Sequence, residues 1–191
     1  MNNVLNDTVG FDAAIKKIQL DVYEALADVW QGDIEGYGRV YKTPVNTGES
    51  IPDYYQTSKI VTPSWYNASK KDYEDTYYDD SKSAVFCFLT KENDKTNDSI
   101  VYSTDVKLAF MVNLEKIYPS LDERQDSRAQ KDVIEILRNN NFERFQIDGV
   151  ERRIDFVFRE YGTSKIRFDD MHPLHCFAVL LRVEYYLTDK C

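Results

Sequence analysis

The sequence predicts an α+β fold, a mainly antiparallel sheet carrying two helices, and three runs of residues make the prediction. Phe11, Ile15, Ile18, Val22, Leu26 and Val29 recur at spacings of three and four, which lines them along one stripe of a helix. Val106, Leu108, Phe110, Val112 and Leu114 alternate with Lys107, Ala109, Met111 and Asn113, the period of a strand with one buried face. Phe177, Val179, Leu181, Val183, Tyr185 and Leu187 alternate with Cys176, Ala178, Leu180, Arg182, Glu184 and Tyr186. The first half of that last run is apolar in both sets, so the strand belongs in the middle of the sheet. At 191 residues, with 42% hydrophobic and 30% charged residues, the chain is expected to form one domain, 1–191, with its own core.

Taken in order, the first helix fills its solvent side with Lys16, Lys17, Asp21, Glu24 and Asp28; Thr8 or Asp7 is placed to cap it and Gly32 to end it. A short strand is expected through Tyr37, Arg39 and Tyr41. From 43 to 80 the periodicity is lost. Pro44, Pro52 and Pro63 interrupt the stretch, and Asp72, Glu74, Asp75, Asp79 and Asp80 crowd its end, so it reads as an extended arm or insertion. Val85 to Leu89 is apolar on both faces, and the polar run 91–98 is the long tip of a hairpin leading into the next strand. Pro119 to Asp126 breaks that strand. Ser127 with Gln130 has the spacing of a capping box for a second helix, whose Val133, Ile136 and Leu137 face inward and which Asn139, Asn140 and Asn141 close. Asp148-Gly149 signals a tight hairpin from Phe145 and Ile147 into a strand with Ile154, Phe156 and Phe158 on one face. That register sets Arg152 among apolar residues, a misfit that depends on what covers it.

The formal charge of −9, from 24 basic against 33 acidic residues, argues against a surface that coats nucleic acid, while permitting a lumen that DNA passes through. No run approaches the roughly 20 apolar residues of a membrane span, and the start, MNNVLND, has no basic or apolar leader pattern. Cytosol-like conditions and no membrane partner are therefore expected. Cys87, Cys176 and Cys191 form no even framework and read as reduced small hydrophobes.

Asp169, Asp170, His172, His175 and Cys176 bring metal-ligand types close together, but Pro173 disfavours the helix on which the two histidines would share a face. The competing expectation places the aspartates in a turn and His175 at the rim of the sheet. Neighbouring carboxylates such as Asp79 with Asp80, or Asp122 with Glu123, are unavoidable among 33 acidic residues. There is no Gly-rich phosphate loop, no GxSxG turn and no cysteine with a recognisable base partner. The expectation is a protein with no catalytic residues, metal or cofactor.

Contact is the stronger theme. Residues 37–78 hold eight of fourteen tyrosines, plus Trp65, but few aliphatics, so the stretch cannot build a core alone and should be ordered by what it touches. Tyr54, Tyr55, Trp65, Tyr66, Tyr77 and Tyr78 are the candidate partner-binding anchors. Arg153, Arg159 and Arg182, with Arg152, are candidates for a basic strip that meets the acidic stretch 72–80 of another copy and closes a ring; intramolecular pairing across strands is the competing account.

The order of elements, with the strand DVKLAFMVNL, the helix SRAQKDVIEILRNN and the closing strand HCFAVLLRVEYYL, resembles the tail-terminator and tail-completion proteins of tailed bacteriophages over most of the chain. The departure is the Tyr-rich stretch, longer than in a compact terminator. The resemblance implies a structural virion protein that forms a ring at the head–tail junction, contacts portal, neck or tail proteins, and lines the DNA passage. A neck ring of a crAss-like, short-tailed phage is one version. Such a protein would reside in the virion and, during assembly, in the host cytoplasm. Two other classes stay open: a small metal-dependent hydrolase using Asp169, Asp170, His172 and His175, and a monomeric module holding carbohydrate or peptide on its Tyr/Trp stretch.

Overall fold

The computed structural model describes residues 1–44, 61–90, 94–96, 100–120, 122–139, 145–163 and 171–187. Among them the chain is α+β, with a mixed, mostly antiparallel sheet. The strands are β1 (Asn2–Asn3), β2 (Ile34–Pro44), β3 (Val61–Asn67), β4 (Asp72–Asp75), β5 (Ala84–Thr90), β6 (Lys95–Thr96), β7 (Val101–Asn113), β8 (Phe145–Arg152) and β9 (Leu174–Tyr186). The helices are α1 (Gly10–Val29), α2 (Leu114–Ile117), α3 (Asp126–Asn139) and α4 (Ile154–Val157). The sheet order is β4-β3-β2-β5-β7-β9-β8, with β1 beside β2 and β6 beside β7. β2 runs parallel to β5 and β1 parallel to β2; every other pair is antiparallel.

The long helix and the closing strand form where their periodicity sets them; β9 is interior, flanked by β7 and β8, but lies one strand in from the β8 edge and not in the middle of the sheet. The residue that caps α1 is Val9, with no side-chain bond, in place of Asp7 or Thr8. Gly32 does follow the helix: its φ of +84° and a Cβ position only 2.0 Å from Ser83 Oγ leave room for no other residue.

The sheet is buried on both faces, not one. Phe86, Phe88, Leu108, Phe110, Phe177 and Val179 pack under α1 and α3, while Val85, Cys87, Ala109, Met111, Cys176 and Ala178 form a second layer with Trp65, Tyr78, Val157 and Phe158. Thus the part of the 43–80 stretch described here is no irregular arm. Its β3–β4 hairpin extends the sheet, and its rings fill the second layer. Pro63 is tolerated because β4 pairs only with Ser64 to Asn67, and the Pro63 carbonyl accepts from the Thr76 N–H at 3.2 Å.

Three further expectations are corrected. β8 runs through Asp148-Gly149 as one strand, with a register shift between Ile147 and Gly149 where a hairpin was expected. Ile154, Phe156 and Phe158 lie in and after α4 instead of on a strand, because the chain turns sharply at Arg153 (φ +73°), whose N–H donates to Cys176 O at 3.1 Å. α3 opens at Asp126, so Ser127 already lies inside the helix, and Gln130 turns inward. It is buried, accepting from Arg152 Nε at 3.2 Å and lying 2.9 Å from His175 Nε2; Arg152 itself is exposed at the end of β8, so the expected misfit among apolar residues does not arise.

Candidate functional site

Of the metal-type cluster, Asp169 and Asp170 lie outside the described residues. His172 is half-exposed and 3.1 Å from Glu115 Oε1. His175 is buried beneath α3, stacked on Phe177 at 5.4 Å, with Asp126 Oδ2 3.7 Å from its Nδ1. Cys176 follows it in the strand and so points to the opposite face of the sheet, into the second layer. Among the described residues no three His, Cys, Asp or Glu side chains are grouped to hold a metal ion. The cysteine of that layer on β5, Cys87, is fully buried, which pushes its thiol up to about 12 and keeps it protonated and unreactive at neutral pH.

The aromatic candidates divide. Tyr54 and Tyr55 lie outside the described residues. Trp65 is 7% and Tyr78 6% exposed: both point inward, Trp65 tilted against Tyr37 at 6.0 Å and Tyr78 donating to Lys82 O at 3.0 Å. Tyr77 is half-buried beside them, and burial raises the phenols of Tyr37, Tyr77 and Tyr78. Trp65 and Tyr78 are therefore core residues of this chain, covered where exposed anchors were expected. The sheet residues beneath them, Ala109, Ala178, Cys87 and Cys176, are small enough to leave room for rings.

Tyr66 is half-buried, and it belongs to a row the sequence did not single out. Tyr73 on the edge strand β4 meets Tyr66 at 5.3 Å and Tyr41 at 5.8 Å, both edge-on, and is itself 47% exposed. Asp72 and Glu74 flank it, Glu74 paired with Lys70, and Asp75 follows with its Oδ1 accepting from Thr62 and Ser64; neither Asp72 nor Asp75 pairs with a Lys or Arg among the described residues. The pattern DYED, a ring among acids, was the available signal for an exposed edge.

The four arginines do not make a strip. Arg152 turns toward α3. Arg182 pairs with Asp148 at 3.1 Å and with Asp105, its cross-strand neighbour, at 3.7 Å, as the intramolecular account has it. Arg153 and Arg159 do converge. Their guanidinium carbons lie 5.4 and 5.3 Å from the centre of the Phe156 ring, and that ring is 41% exposed at the surface of α4. Phe156 was expected on a buried strand face; the turn at Arg153 is what brings it out.

A cavity of about 220 Å³ opens beside α4, walled by Leu89, Val157, Tyr161 and Leu180 and rimmed by charges. Those charges are engaged within the chain: Lys107 Nζ donates to Glu151 Oε2 at 2.5 Å and to Phe156 O at 3.1 Å, Glu160 pairs with Lys42, and Arg182 holds Asp105 and Asp148. Among the described residues the surface also carries two exposed rings set among charges of opposite sign, Phe156 with Arg153 and Arg159 on α4, and Tyr73 with Asp72 on β4. No family model, curated protein or solved structure matches this chain.

Proposed function

We propose that this chain is a structural subunit that assembles into a ring, of the kind found at the head–tail junction of tailed bacteriophages, surrounding the DNA passage and contacting portal, neck or tail proteins. The observation that carries the reading is the Tyr41–Tyr66–Tyr73 row, half-buried at Tyr41 and Tyr66 and 47% exposed at Tyr73 on the edge strand, with Tyr54 and Tyr55 falling in the stretch 45–60 between β2 and β3 in the sequence. A ring that lies open at the end of this row, while Trp65 and Tyr78 are covered, is contact area for a neighbour. The acidic surplus of the chain suits a wall along which DNA slides without adhering.

Removing all of 43–80 would strip the second layer of its cover, so the test must be narrower. Pro44 and Val61 are direct partners in the β2–β3 ladder, and a short Gly-containing turn can therefore replace 45–60. The expected result is a folded protein that no longer forms annuli in electron micrographs or joins phage particles. Rings formed by the shortened protein as readily as by the full chain would overturn the role given to this stretch.

A further inference from the structure

We propose that the Arg153–Phe156–Arg159 knob of one copy docks on the Asp72–Tyr73–Asp75 edge of the next. This names the contact by which the ring proposed above would close, and rests on that reading. α4 packs against β8 and β9, at the opposite end of the sheet order from β4. The turn after α4 reaches back across the second face, where Glu160 pairs with Lys42 of β2 and the Gly162 N–H donates to Val61 O of β3 at 2.7 Å. The knob and the edge are nevertheless two different surfaces, and two different surfaces on one subunit give a head-to-tail contact, the type that closes into rings when the rotation allows.

The two ends match in chemistry. On one, a phenyl ring lies between two guanidiniums; Arg153 also holds Asp155 at 3.0 Å, while Arg159 has no carboxylate partner among the described residues. On the other, the Tyr73 phenol stands beside Asp72, with which no Lys or Arg pairs among the described residues, and near Asp75, whose Oδ1 accepts from the Thr62 and Ser64 hydroxyls at 3.2 and 3.3 Å; Glu74 between them is held by Lys70. Joining them sets ring against ring and brings the Arg159 guanidinium to the Asp72 carboxylate. The edge suits a side-chain contact better than strand addition: β4 is only four residues long and acidic, features that discourage pairing with another strand.

The experiment uses two full-length variants. Arg153→Glu with Arg159→Glu reverses the knob; Asp72→Lys with Tyr73→Ser reverses the edge. All four positions are exposed and outside both core layers, and the melting temperature of each variant checks folding. Each alone is expected to self-associate roughly tenfold or more weakly than wild type by sedimentation, a deficit that rising salt narrows. Mixed one to one, they are expected to associate again, because the intact knob of one meets the intact edge of the other. Self-association unchanged in the knob variant would overturn this docking and leave the ring reading standing. Failure of the mixture to recover, or a wild type that stays monomeric up to its solubility limit, would also overturn it. If instead the mixture recovers but no annulus ever forms, the docking holds and the ring reading falls.

Discussion

The two faces of the sheet are built from the same strands but on opposite plans. Under the helices the strands supply the bulk themselves: Phe110 stacks on Phe177 at 5.0 Å, meets Phe86 at 5.6 Å and takes the edge of Trp30 at 5.9 Å. On the other face the strands supply mainly small residues, with Ala109 directly opposite Ala178, and the bulk arrives from the hairpin and α4 as Trp65, Tyr78 and Phe158. Close packing on both sides requires this exchange, since the space between layers is fixed and either partner must be small where the other is large. A segment with few aliphatic residues can thus be part of a core it could never have built alone.

The largest test of this contrast is Phe110→Ala. Phe110 is fully buried and touches three other rings, so its truncation should cost about 3–5 kcal/mol. That is read as a lower denaturant midpoint at unchanged slope. A loss under about 1 kcal/mol would mean that the helical layer is not organised around this residue.

The second face should fail in the opposite way. Ala178→Leu puts extra methyl groups where the covering rings need space, and overpacking of this kind costs about 1–3 kcal/mol. On the helical face an enlargement such as Val179→Leu should be easier to absorb, because it meets side chains of its own kind. If Ala178→Leu left the unfolding midpoint in place, smallness on this face would not be what admits the hairpin.

This difference also explains what could be read from the sequence. α1, β7 and β9 carry their own apolar period, and all three were legible as elements. The second layer was not. Trp65 and Tyr78 carry no period, so burial and exposure look alike in the chain, and inward rings were taken for partner anchors. Asp148-Gly149 has the chemistry of a turn, yet the pairing of β8 along β9 from Phe145 to Arg152 overrides it. Phe156 alternates with Ile154 and Phe158 as a strand residue would, and only the positive φ at Arg153 undoes that pattern. The basic candidates fared in the same way: Arg153 and Arg159 come together through a turn, whereas Arg182 is taken up by aspartates on neighbouring strands.

The smallest effect belongs to a contact outside both layers. Asp33 and Lys82 stand at the starts of the parallel neighbours β2 and β5; Lys82 Nζ donates to Asp33 Oδ2 at 2.6 Å, and the Ser83 N–H donates to Asp33 O at 2.8 Å. The hydrogen bond from Lys82 holds the Asp33 carboxyl below its ordinary value, against a smaller upward push from burial, and the same bond raises Lys82. A depressed carboxylate contributes stability that is complete above its unfolded value of about 3.9 and is lost as pH falls through the folded one. A raised amine contributes below about 10.4 and loses that contribution as pH climbs through its folded value. The difference between wild type and Asp33→Asn should therefore be flat across neutral pH and shrink toward zero in acid. With the Asp33 side chain 54% exposed, it should amount to only about 0.2–1 kcal/mol, and less in high salt. A difference that grew as pH fell would reverse the sign of this linkage. One that rivalled Phe110→Ala would move the weight of the fold from its two packed layers to the rim of the sheet.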